Sequence, residues 1–167
     1  MTTSIPTAAQ LVEAELLVNY QKLAAEGVDL HSHRIATLDA IHDSLNSRRS
    51  KYYRSVRGAI AGVVPVVGGV DHTAATGHSH AKKCVEAYGL AGQHGNQAIV
   101  KEVVGEILKT MGIKIVAEEV VGAAVPGISI VLAAMSAPKV MEDVLRVVHE
   151  RANELHMNAI KQVQANL

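Results

Sequence analysis

A short, uncharged, proline-bent apolar phrase occurs twice in this chain. Residues 59–67 read Ala-Ile-Ala-Gly-Val-Val-Pro-Val-Val, and residues 120–128 read Val-Val-Gly-Ala-Ala-Val-Pro-Gly-Ile. With Pro65 laid on Pro126, small and β-branched residues precede the proline in both copies. Proline in a helix interior removes a hydrogen bond and clashes with the preceding turn. Each phrase therefore predicts the apex of a helical hairpin rather than a straight helix. An apex without charge has to be hidden from water, in a bundle core, against a partner or in lipid.

The rest of the composition narrows the fold. There is no Phe and no Trp, and only four Tyr, so a core must be built from Val, Ile, Leu and Ala. Apolar residues recur at helical spacing in one segment after another. Ala9, Val12, Leu16, Tyr20 and Leu23 predict a first helix, with Thr7 as its cap and Gly27 as its stop. A second helix is expected from Leu30, with Ile35, Leu38, Ile41 and Leu45 inward and Asp39, His42 and Asp43 on the opposite side. Asp71 begins a third amphipathic helix ended by Gly89, with Val70, Ala74, Gly77, Ala81, Val85 and Tyr88 on its inner face.

A Gly-rich loop at 92–95 leads to a strongly apolar helix from Gln97 to Met111, and another helix passes through Ile113 and Val120. The last helix carries Pro138 in its first turn, where a missing N–H costs little. Its inner residues are Met141, Val144, Val148, Ala152, Leu155 and Ile160. No segment alternates polar and apolar residues as a surface strand would. The expectation is a single all-α bundle of six to eight helices over 7–167, after a frayed 1–6. An N-terminal helical pair at 7–47 would precede a core at 48–160.

Sixteen basic and sixteen acidic residues cancel, and a nucleic-acid binder usually shows a basic excess, so nucleic acid is not an expected partner. A lone Cys84 excludes an internal disulfide framework and suits a reducing compartment. Residues 1–6 show no basic region followed by an apolar run. A cytoplasmic location is expected, with peripheral attachment to the inner membrane left open.

Catalytic and cofactor signals are weak. The nine histidines include two His-Ser-His triplets, at 31–33 and 78–80. Histidines two apart on a helix diverge by about 200°, so a triplet cannot clamp one metal; these side chains read as solvated, with a pH-responsive role left open. Cys84 reads as an inert small hydrophobe. Glu118–Glu119 and Glu142–Asp143 are adjacent pairs that diverge on a helix. Gly105 to Thr110 lacks the glycines of a phosphate loop and reads as ordinary amphipathic helix. No catalytic, metal or cofactor residue is assigned.

The membrane signals are stronger. Arg48, Arg49, Lys51, Arg54 and Arg57 stand directly before the first phrase. Near an anionic surface each contributes about 1 kcal/mol. Gly58 and Gly62 form a small-xxx-small pair that favours close packing. The uncharged run over 120–138 is near the lower limit for a spanning helix, but Pro126-Gly127 divides it. Candidate lipid or partner contacts are therefore the five basic residues with Ile60, Val63, Val64, Val66 and Val67 of the hairpin at 58–70. Val125, Ile128, Ile130, Val131 and Leu132 of the hairpin at 120–137 join them.

Residues 57–90 carry a small-residue helix, Pro65 and Gly68 in a turn, Asp71, a helix, then Tyr88-Gly89. This pattern resembles the uncharacterised helical domain of bacterial YcjF-like membrane proteins and of GTPase-associated helical domains. Val125-Pro126-Gly127-Ile128 is similar to that family's second hairpin. Pro65, Gly68, Asp71, Tyr88, Gly89, Pro126 and Gly127 are then turn-forming positions. The resemblance implies membrane association and a partner GTPase, and supplies no catalytic residues. The chain departs from the family in carrying no GTPase domain and in having polar histidines after Asp71.

Two functions are expected to compete. One is a non-enzymatic protein docking on or inserting into membrane, pore formation being its sharper form. The other is a soluble interaction module or homo-oligomer burying the same faces.

Overall fold

The computed structural model describes residues 7–60, 80–93, 95–110 and 137–167, with 49–60 and 137–140 as backbone. Within them the chain forms five helices and no strand: α1 (Ala8–Ala25), α2 (Leu30–Ile60), α3 (80–87), α4 (Gln97–Thr110) and α5 (Ala137–Ala165). The all-α class follows. Both proline elbows lie outside the described residues.

Local chemistry sets the helix ends. Thr7 and Gln10 form a reciprocal capping box: the Thr7 N–H donates to Gln10 Oε1 at 2.8 Å, and the Gln10 N–H to Thr7 Oγ1 at 3.3 Å. Asp29 caps α2 by accepting the backbone N–H groups of His31 and Ser32. Those bonds, the Ser32 backbone one above all, hold its carboxyl below the ordinary range. Asn96 does the same for α4 through the Ile99 N–H at 2.9 Å.

Gly27 stops α1 at φ +75°, where a left-handed backbone suits glycine. Its N–H donates to the Ala24 carbonyl, and the Val28 N–H to the Leu23 carbonyl. Gly89, at φ +65°, repeats the motif after α3, with Leu90 bonding back to Val85.

α5 is the central element, touching α1, α2 and α4. Its inner stripe is that expected from spacing: Met141, Val144, Val148, Ala152, Leu155 and Ile160 are all buried. The main core joins it to Val12 of α1, Leu38 and Leu45 of α2, Cys84 and Val85 of α3, and Val100, Val104 and Ile107 of α4. A second cluster closes the far end, where Tyr20 and Leu30 meet Ala159, Ile160 and Val163.

The expected register of α2 is corrected. Ile35 is 51 % exposed and does not belong to the inner stripe. The inward register instead runs through Leu30, Arg34, Leu38, His42 and Leu45, and so His42 sits half-buried against α5 rather than on the outer face. α2 runs without a break from Leu30 to Ile60. Its 31 residues make a rod of about 46 Å.

Candidate functional site

One edge of α5 is polar. His149, Asn153 and His156 follow each other at spacings of four and three, beside the buried Val148, Ala152 and Leu155. Side chains so spaced share a helix face. Each is held by a different neighbour. The Tyr88 hydroxyl, at the end of α3, lies 2.9 Å from His149 Nδ1. The Arg34 guanidinium of α2 donates to Asn153 Oδ1 at 3.0 Å. The Tyr20 hydroxyl of α1 lies 2.7 Å from His156 Nδ1. With the phenol donating, each imidazole is neutral and carries its proton on Nε2.

Aromatic edges complete this seam. The His42 and His149 rings pack edge to face at 5.1 Å, and Asn46 Nδ2 sits 3.2 Å from His42 Nδ1. The Tyr20 ring meets both His156 and His33, at 5.6 and 6.3 Å between centroids. Arg34 Nε is buried and has no hydrogen-bond partner.

Burial governs the acid–base character here, because a low-dielectric site disfavours the charged form. The His156 imidazolium is pushed down to about 4, first by burial and then by the Arg34 and His33 charges. His149 is lowered by burial and by His42, with Asp39 and Glu150 pulling the other way. Burial raises both phenols, Tyr20 and Tyr88. Cys84 is fully buried, 3.5 Å from His80 Nε2, and its thiol is raised to about 12 by burial. That thiol is a weak nucleophile, because the thiolate is the reactive form.

The expectation of solvated histidines is therefore corrected. His31 and His33 are exposed, but His80 is buried and His42, His149 and His156 are half-buried. Spacing missed His149 and His156 because their partners, Tyr88 and Tyr20, come from distant segments. Among the described residues no group of three His, Cys, Asp or Glu could hold a metal ion.

A cavity of about 320 Å³ opens on the other side of α5, between α1 and α4. Val103, Ile107 and Leu155 give it apolar walls, and charged side chains rim it. Two ion pairs order that rim: Arg151 with Glu106 at 3.6 Å and Arg146 with Glu150 at 3.2 Å. All four side chains are well exposed, and each such pair stabilises by well under 1 kcal/mol.

The basic cluster lies along α2. Arg48 is exposed, and Arg49, Lys51, Arg54 and Arg57 follow on the same helix, described as far as Ile60. Val63, Val64, Pro65, Val66, Val67, Gly68 and Asp71 lie outside the described residues, as do Val125, Pro126, Gly127, Ile128, Ile130, Val131 and Leu132. Tyr88 is buried and Gly89 forms the turn after it. Among the described residues no helix is long and apolar enough to cross a membrane.

Comparison with protein-family models, curated proteins and solved structures finds no match to this chain.

Proposed function

We propose that this is a non-enzymatic helical protein that docks on anionic membrane surfaces through its basic cluster and the apolar elbows. The observation that carries this reading is the unbroken course of α2. Its first half is packed against α5 through Leu38 and Leu45, and its second half bears Arg48, Arg49, Lys51, Arg54 and Arg57. One helix thus links the folded bundle to the start of the first apolar elbow, with the positive charge immediately before it. Attraction of five cations supplies roughly 5 kcal/mol before screening and ordering costs. Insertion of Val63, Val64, Val66 and Val67 would add the apolar contribution. The partner GTPase that the 57–90 pattern implies would then meet the protein at the membrane.

Vesicle flotation tests this. The chain is expected to float with vesicles containing phosphatidylserine and to stay behind with phosphatidylcholine alone. Replacing the five basic residues by Gln should abolish flotation. No flotation of the wild-type chain on either vesicle overturns the reading.

A second reading, a soluble module that self-associates, is favoured by one observation. Leu11 and Val18 share a face of α1, at 37 % and 63 % exposed. Light scattering without detergent separates the two: a dimer dispersed by Val18→Glu supports self-association, and a monomer removes it.

A further inference from the structure

We infer that the seam where α1, α2 and α5 meet is an acid-sensitive latch: His156, hydrogen-bonded to Tyr20 and near the Arg34 guanidinium, holds the bundle closed while neutral and loosens it when protonated. The inference does not depend on lipid binding.

The geometry carries it. Three helices converge on one imidazole. From α1 comes the Tyr20 hydroxyl at 2.7 Å from Nδ1. From α2 come His33, whose ring meets the same tyrosine, and Arg34, whose guanidinium is tied to Asn153 one turn before His156. The charged and titratable groups facing His156 are thus Tyr20, His33 and Arg34, and none is a carboxylate. Among the described residues no carboxylate forms an ion pair with Arg34 or His156. Acidification therefore adds a positive charge on His156 beside the Arg34 guanidinium, at one half-buried junction.

The hydrogen bond itself is not what fails, since a phenol can turn and accept from an imidazolium. The cost is an uncompensated cation in a desolvated site. His149 is built differently. Tyr88 at the end of α3 and His42 of α2 touch it, with Cys84 of α3 beside Tyr88. Asp39 and Asp43 of α2 and Glu150 of α5 lie near enough to act on this pair. Its acids offset part of the charge, so His156 is the stronger pin.

The direction in pH follows from linkage. An imidazole that resists protonation when folded binds fewer protons than in the unfolded chain. Its contribution is complete above the ordinary value of 6.5 and falls as pH drops towards the folded value of about 4.

The test uses the full chain. The histidine ring protons of the wild type are titrated by NMR, and urea unfolding is run at pH 7.5 and 5.0 on the wild type and on His156→Asn. Asn keeps an acceptor for Tyr20 and carries no charge. His156 is expected to titrate at least one pH unit below the ordinary histidine value of 6.5, and Arg34→Gln should move it upward. The folded-to-unfolded ratio of the wild type should fall on the order of tenfold more between the two pH values than that of His156→Asn. Titration of His156 at the ordinary histidine value, or equal acid sensitivity in both chains, overturns the latch. If His156→Asn does not fold, the wild-type titration decides alone.

Discussion

The Tyr20 hydroxyl lies 2.7 Å from Nδ1 of His156, joining α1 to α5 across 136 positions of sequence. Removing the phenol oxygen leaves a half-buried acceptor without its partner. Tyr20→Phe is expected to cost about 1–2 kcal/mol at pH 7.5, measured by urea unfolding. The same substitution at Tyr88, over His149, should cost a similar amount. No loss in either variant would mean that the phenols fill space and nothing more.

The register of α2 makes a sharper test. Leu38 is 2 % exposed and Ile35 is 51 % exposed, three positions apart. Leu38→Ala should cost about 2–5 kcal/mol, while Ile35→Ala should stay within about 0.5 kcal/mol. Equal costs would restore the stripe suggested by spacing alone.

Glycine substitutions should differ in sign. Gly27 and Gly89 have left-handed backbones, at φ +75° and +65°. A Cβ at either meets no atom within 4 Å, so only backbone conformation opposes it. Gly27→Ala and Gly89→Ala should each destabilise by about 1 kcal/mol. Gly105 lies within α4, also with open space around its Cβ. Gly105→Ala should stabilise by roughly 0.5–1 kcal/mol. Thermal melts of the three variants check both signs.

Cys84 gives a chemical probe of the core. It is fully buried and its thiol is raised to about 12. A thiol reagent at pH 8 should react with the native chain far more slowly than with the urea-unfolded chain. Comparable rates would show that the α3–α5 contact opens readily.

The helices were legible because their chemistry is local. Thr7 with Gln10 and Gly27 mark the ends of α1 within a few residues of one another, and Val144, Val148, Ala152 and Leu155 repeat at helical spacing in α5. The polar seam was not legible in that way. Arg34 meets Asn153, and Tyr88 meets His149, across 119 and 61 positions. A polar side chain reads as an outward face when only its own helix is considered. Spacing alone therefore puts His42 outside and Ile35 inside. One signal was present: His149, Asn153 and His156 form a polar row directly beside an apolar stripe. Uncharged hydrogen-bonding side chains at a stripe's edge fit a packed interface better than a charged solvent face.

The functional account rests on the basic half of α2 bringing the first elbow to lipid. The most direct measurement places an environment-sensitive dye on a cysteine introduced as Val64→Cys in a Cys84→Ala background, with Glu26→Cys as the exposed control. On addition of vesicles containing phosphatidylserine, the dye at position 64 is expected to shift to the blue and the dye at position 26 to stay unchanged. An unchanged spectrum at position 64 would contradict the account.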